Sequence, residues 1–280
     1  MEKDPIMAHV AAADGTRIFY RDFGQGRPMV FSHGWPLNSD AWDGSMQFFA
    51  NSGFRVVAHD RRGHGRSDPS ATGNDMDTYA DDLAAVIEHL DLTDAVLVGH
   101  STGGGEIVRH VTRHGTSRVA KLALLGAITP LLGAVDGNAD GVPVEMVHRV
   151  QKMLIDNRSQ FFLDFPDVFF GMHKGGGAPH SEGWRMAFWQ QGMSADINAL
   201  YACVEQFWVS DFREEMKRIT LPVLVVHGTG DEVVPFESTG RRSAEILPNA
   251  TLITYEGASH GFPKTHQERL NADLLAFVRG

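Results

Sequence analysis

Cysteine is nearly absent from this chain of 280 residues, in which Cys203 stands alone. No disulfide can form within it, and no cysteine-based metal site can be assembled. That usage suits a reducing, cytoplasmic setting. Positive charge is also scarce: 25 Lys and Arg face 35 Asp and Glu, for a formal net charge of -10. With no basic run, nucleic acid and anionic membrane surfaces are poor partners. Long apolar runs are missing too, so no segment reads as a transmembrane span. The opening residues Met1 to Met7 hold Glu2, Lys3 and Asp4 and no apolar stretch, which is not the pattern of a signal peptide. No internal repeat or low-complexity segment stands out.

What is present is enough for a large core. Hydrophobic residues make up 42% of the chain and charged residues 21%, which excludes a disordered chain. Residues 9–24 read as an antiparallel hairpin turned at Asp14-Gly15. Apolar strand patterns follow at Met29–Ser32, Arg55–Ala58, Ala95–Val98 and Leu122–Leu125. Helical spacing lies between them, most clearly over Thr78–Leu90, where Tyr79, Leu83, Val86, Ile87 and Leu90 recur on one face. This alternation predicts a doubly wound, mostly parallel sheet of the α/β class. The rhythm breaks over 128–220, a stretch rich in Phe, Trp and Met that includes the loop Gly175-Gly176-Gly177. It reads as a helical cap inserted into a core made of 1–127 and 221–280. The rhythm resumes with a strand over Pro222–Val226, a helix over Glu237–Leu247, a strand over Thr251–Tyr255 and a helix ending near Phe277.

The strongest chemical signal is Gly99-His100-Ser101-Thr102-Gly103, set between a buried strand and a helix. A turn that tight forces strain on Ser101 and demands small residues two before and two after it, as in a nucleophile elbow. A serine hydroxyl needs a base to become a useful nucleophile. In such folds the chain order is serine, acid, histidine. His260, just after the last predicted strand, fits as base; His266 is its rival but should fall at or inside the final helix. Asp231, after the strand ending at Val226, fits as the acid that orients the imidazole. Glu232 is the runner-up in the same loop. Asp60 precedes the serine, and Asp60 with Arg61 to Ser67 reads as a structural loop laced by ion pairs.

Acyl transfer builds an oxyanion, which must meet N–H groups already aimed at it. Thr102, following the nucleophile, should supply one. Trp35, in His33-Gly34-Trp35-Pro36 at another strand end, should supply the second. His33 is too early in the chain to be the base and is expected to brace this loop. Pro36 restricts the residue before it and could aim the Trp35 carbonyl at the acyl-enzyme, or simply stiffen the loop. His110 and His114 have the i, i+4 spacing of metal ligands, but no further ligand is evident. Flanked by Arg109 and Arg113, they predict a solvated basic helix face.

Together, His33-Gly34-Trp35-Pro36-Leu37, Asp60-Arg61-Arg62-Gly63-His64-Gly65-Arg66-Ser67 and Gly99-His100-Ser101-Thr102-Gly103-Gly104-Gly105 make the chain resemble the bacterial aryl esterases and cofactor-free haloperoxidases (perhydrolases) of the α/β-hydrolase fold. Thr129-Pro130, Asn157 to Phe161, Val234-Pro235-Phe236, Ser259 to Phe262 and Leu270 to Phe277 extend the likeness over nearly the whole chain. The resemblance implies the same triad, Ser101, Asp231 and His260, and oxyanion donors at Trp35 and Thr102. It implies an acyl pocket lined by Ile128, Leu132, Phe165, Phe169 and Val233. Leu132 stands where an aromatic is common in the esterases, and Thr102 where methionine is common. It also implies a homo-oligomer, with neither metal nor cofactor.

The expected activity is cleavage of a small carboxylic ester through an acyl-enzyme, with a peracid formed when hydrogen peroxide replaces water. Peracid oxidation of halide would then give haloperoxidase activity without a metal. The rivals are hydrolysis of a lactam (a small cyclic amide) and a non-catalytic ligand receptor on the same fold. A dehalogenase or epoxide hydrolase of the usual kind needs an aspartate where Ser101 stands.

Overall fold

The structure, a computed structural model, describes residues 6–174 and 180–280. The expected loop Gly175-Gly176-Gly177 lies outside the described residues. The chain order begins with β1 (Ile6–Ala11), β2 (Arg17–Gly24), β3 (Pro28–Ser32), α1 (Asp43–Asn51), β4 (Arg55–His59) and α2 (Met76–His89). Next come β5 (Ala95–His100), α3 (Thr102–Arg113) and β6 (Val119–Leu125). Four helices follow: α4 (Val144–Phe169), α5 (Glu182–Ser194), α6 (Ile197–Val209) and α7 (Arg213–Met216). The chain ends with β7 (Val223–Gly228), α8 (Gly240–Ile246), β8 (Ala250–Tyr255), α9 (Phe262–Thr265) and α10 (Gln267–Arg279).

The eight strands form one sheet in the order β1-β2-β4-β3-β5-β6-β7-β8. Only β1–β2 and β2–β4 pair antiparallel; every other neighbouring pair is parallel. The central strand β5 is buried along its whole length, which explains its unbroken apolar run. One face packs on α2 and α3 through residues such as Leu83, Leu97 and Val108. The other packs on α1 and α10 through Phe49, Val98 and Leu274. From β3 the chain goes to β4 on one side, then crosses to β5 on the other. The carboxyl ends of β3 and β5 therefore flank a topological switch point, where open α/β sheets bind ligands. Both the His33–Leu37 loop and Ser101 emerge there.

The helices between β6 and β7 occupy the stretch where the strand rhythm failed. Asn157 interrupts α4 with extended backbone, and its side chain caps the next turn by accepting from the Gln160 N–H at 3.0 Å. The restarted helix carries Phe161, Phe162, Phe165 and Phe169, which pack side by side. The α8 helix begins three residues later than the expected Glu237. The Thr239 hydroxyl donates to the Pro235 carbonyl at 2.6 Å, a local bond that holds a turn in place of the first helical residues.

One expectation fails. His110 does not join a solvated basic face: it is 3% exposed, packs its ring on His114 and lies against the Ala80 carbonyl of α2. Burial pushes its pKa down to about 4. Only the outer half of the pair is solvated, where His114 meets Asp81 at 2.7 Å. Helix α2 covers that face, and spacing along α3 alone carries no sign of it.

Candidate active site

At the β5–α3 junction Ser101 has φ 55° and ψ −119°, outside the regions that L-residues prefer. A side chain on Gly99 would strike the Gly103 carbonyl, and one on Gly103 the Ser32 carbonyl, each at 2.3 Å. The two glycines allow this backbone, and the Ser101 N–H is held by the Leu125 carbonyl at 3.0 Å. Helix α3 starts at Thr102, so its first N–H groups lack intrahelical partners and its positive dipole end lies beside Ser101.

Asp231 and His260 leave the ends of β7 and β8 and meet through Oδ2 and Nδ1 at 2.6 Å, both side chains fully buried. Asp231 Oδ1 accepts from the N–H groups of Val233 and Val234. Burial opposes its negative charge, but His260 and the nearby His227 outweigh that and hold its pKa well below the usual range. The bond through Nδ1 leaves His260 Nε2 as the nitrogen that can exchange a proton. His100, next to Ser101, donates Nε2–H to the His260 carbonyl at 3.1 Å, with ring centroids 4.7 Å apart. That contact brings the Ser101 turn to the His260 loop. Burial, and then the charge of His260, push the His100 pKa down to about 3, so the ring is neutral. Glu232, the alternative acid, instead faces His173 and Lys174 at the surface. His266 stands at the N-cap position of α10, as expected, where its side chain makes no capping bond.

The Trp35 loop lies against the same turn. A side chain on Gly34 would meet the Ser101 Cβ at 3.0 Å. Pro36 is buried and follows Trp35 through a cis peptide bond. The Trp35 ring packs against Phe161, Phe162, Phe165 and Phe207, with centroids 5.9–6.4 Å away. Phe169 sets its ring edge-on to His260 at 5.2 Å. The Ile128 N–H approaches the Ser101 carbonyl at 3.3 Å, Leu132 is buried in the core, and Val233 sits beside Asp231. A cavity of about 590 Å³ abuts the site on the side of His100, walled by Trp42, Phe169, Trp184 and Phe188. Of the expected acyl-pocket residues only Phe169 lines this cavity; Ile128, Leu132, Phe165 and Val233 do not.

Three features were not anticipated from the residues. His227 stands 3.4 Å from Asp231 while its Nε2 donates to the Val234 carbonyl. Phe161, Phe162, Phe188 and Phe207 extend the aromatic wall. Glu106 on α3 is fully buried as the centre of an ionic cluster with Arg61 and His59. A carboxylate on the inner face of the helix that follows the Ser101 turn was the available signal for the last.

Comparison with known proteins agrees with this architecture. A family model described as the alpha/beta hydrolase fold matches residues 27–267. A non-heme chloroperoxidase of Streptomyces lividans is 51% identical over 98% of this chain and 100% of its own length. A bifunctional esterase/perhydrolase of Acinetobacter calcoaceticus is 49% identical over the same shares. A solved bromoperoxidase from Bacillus anthracis superposes with a TM-score of 0.93 at 31% identity, covering 98% of this chain and 100% of that one. With this match along most of its length, the chain belongs to the alpha/beta hydrolase fold family.

Proposed function

We propose that the chain is a serine hydrolase that cleaves small carboxylic esters, aryl esters among them, through an acyl-enzyme. Hydrogen peroxide can replace water as the second nucleophile and release a peracid. The observation that carries this reading is the buried Asp231–His260 pair at 2.6 Å beside the strained Ser101 turn. The similarity to an esterase/perhydrolase and to non-heme haloperoxidases supports the same reading.

In this mechanism His260 Nε2 takes the Ser101 proton as Oγ attacks the ester carbonyl. Asp231 holds the imidazole by Nδ1 and stabilises its charged form. The N–H groups of Trp35 and Thr102 receive the oxyanion. His260 returns the proton to the departing alcohol, then takes one from water or peroxide as it attacks the acyl carbon, and gives that proton to Ser101 Oγ as the acyl–Oγ bond breaks and the acid or peracid leaves. No step calls on a metal or an organic cofactor. Ile128, Leu132, Phe165, Phe169 and Val233 would wall the acyl group, and residues 128–220 would act as the cap over the core of 1–127 and 221–280. No described helix is long and apolar enough to cross a membrane. A homo-oligomer, measurable by light scattering, and a cytoplasmic location are the companion expectations.

The test is steady turnover of p-nitrophenyl acetate, with a parallel assay of peracid formation from acetate ester and peroxide. Wild type should turn over many times, and Ser101→Ala should not. An organophosphonate should label Ser101 alone; a label elsewhere, or turnover by Ser101→Ala, would overturn the assignment.

A further inference from the structure

Beside the catalytic groups lies a second buried polar cluster that the mechanism above does not use. Its parts come from the strands β3 and β4, the loops that follow them and the helix α3. The Arg61 guanidinium donates through Nε and Nη2 to Glu106 Oε2 at 2.8 and 2.6 Å. Ser32 Oγ donates to the same oxygen at 2.9 Å, and His59 Nε2 meets Glu106 Oε1 at 2.7 Å. Arg61, Glu106, His59 and His33 are all fully buried.

This cluster grips His33 twice. Arg61 Nη2 donates to the His33 carbonyl at 2.7 Å, and the Arg61 backbone N–H donates to His33 Nε2 at 2.9 Å. A ring nitrogen that accepts carries no proton. The single proton of the neutral ring must then be on Nδ1, which donates to the Gly34 carbonyl at 3.0 Å. Burial first, and then the charge of Arg61, hold the His33 pKa well below its ordinary value, so the ring stays neutral. The Leu37 N–H also donates to the Gly34 carbonyl, at 2.9 Å.

The Gly34 carbonyl and the Trp35 N–H belong to one planar peptide unit, which is trans. In such a unit the C=O and N–H point in opposite directions. Holding the Gly34 oxygen from two sides therefore sets where the Trp35 N–H points. Among the described residues that N–H meets no acceptor. The other donor is tied to the same cluster, because Glu106 lies one helical turn beyond Thr102 on α3.

We propose that His33, Arg61 and Glu106 are positioning residues that set the direction and separation of the two oxyanion N–H groups. Arg61 acts as the common reference: it holds α3 through Glu106 and the Trp35 loop through His33. The proposal rests on the reading of Trp35 and Thr102 as oxyanion donors. It differs from a bracing role in one respect. A brace supports folding, whereas a positioning device acts on the tetrahedral state.

Two substitutions separate the halves of His33. An asparagine side-chain amide can stand where Nδ1–H stands, whereas a glutamine amide reaches the place of Nε2. His33→Gln should keep an acceptor for Arg61 and lose the hold on Gly34. It should lower kcat for p-nitrophenyl acetate roughly a hundredfold, the scale of one lost oxyanion donor, with KM little changed. Affinity for a trifluoromethyl ketone, which forms a tetrahedral adduct with serine, should fall by a similar factor. His33→Asn should retain most of both. Equal losses in the two variants, or a loss of kcat with inhibitor affinity intact, would overturn the proposal. Nitrogen NMR of the wild-type ring gives a measurement that does not depend on either variant folding. It should show His33 protonated on Nδ1 and bare on Nε2; the opposite tautomer is incompatible with the device. Ser101→Ala in the same assays keeps the two readings apart. Turnover by Ser101→Ala would remove the catalytic reading and this proposal with it. An inactive Ser101→Ala beside a His33→Gln that matches wild type in kcat and inhibitor affinity would remove the positioning role alone.

Discussion

Two buried carboxylate–histidine pairs flank the Ser101 turn, and their geometries are almost the same. Asp231 meets His260 at 2.6 Å, and Glu106 meets His59 at 2.7 Å. What separates them is the nitrogen used and the company kept. His260 bonds its acid through Nδ1, which leaves Nε2 for a reacting proton. His59 bonds through Nε2, and its Nδ1 is buried with no partner among the described residues. Glu106 also has a permanent cation, Arg61, at 2.6 Å, whereas no arginine or lysine pairs with Asp231 among the described residues. A carboxylate already neutralised by arginine has little to offer a histidine that must gain and lose charge. Distance alone therefore does not identify a catalytic pair.

The sharpest way to break this comparison is to neutralise the acid of the first pair. Asp231→Asn should cost about four orders of magnitude in kcat, because an amide in that place favours the wrong tautomer of His260 and cannot stabilise its charged form. Activity within tenfold of wild type would show that the pair is structural after all. In the second pair the larger effect should be on stability. Glu106→Ala leaves the Arg61 guanidinium buried without its counter-charge, which should cost about 3–5 kcal/mol in urea unfolding. A loss under about 1 kcal/mol would mean that water reaches the cluster.

Acid should weaken the fold through its buried histidines and Glu106. Burial, ahead of neighbouring charges, lowers the pKa of His100 to about 3 and of His64 and His110 to about 4, against an ordinary 6.5. Between those values the unfolded chain binds protons that the folded chain refuses, so stability falls as pH drops below about 6.5. Glu106 acts with the same sign at lower pH. Burial pushes its pKa up, but Arg61 and His59 prevail and bring it from 4.5 to about 2, so its contribution is lost as pH falls through that range. The urea midpoint should be lower at pH 5 than at pH 7.5, and equal midpoints would contradict this. The smallest effect is expected at Thr102. Its hydroxyl is buried with no partner among the described residues, so it serves neither pair. Thr102→Ala keeps the backbone N–H, and its kcat should change far less than the roughly hundredfold cost of a lost oxyanion donor.

Much of this arrangement was legible along the chain because its causes are local. The Ser101 turn announces itself through Gly99 and Gly103, whose missing side chains are demanded by backbone atoms a few residues away. Strand β5 shows its burial on both faces as a continuous apolar run. Asp231 and His260 could be named from chain order and from their places after strands. Other features gave no such sign. Arg61 could be read as part of an ion-paired loop, but its partner Glu106 lies 45 residues away and looks like any other helical carboxylate. The burial of His110 leaves no mark along α3, because its cover comes from α2, across the helix pair.

The sequence by itself determined the alternation of strands and helices, the strained serine turn and the candidates for acid and base. Those properties depend on steric demands and periodicities within a few residues. Tertiary structure alone decided which carboxylate meets which histidine, and through which nitrogen. The strand order sets those contacts. By crossing from β4 over β3 to β5, the chain brings Ser32, His59, Arg61 and Glu106 together under one loop and leaves Asp231 and His260 on the far side of Ser101. The same two residue types then meet different electrostatic surroundings, and those surroundings divide the proposed roles between them.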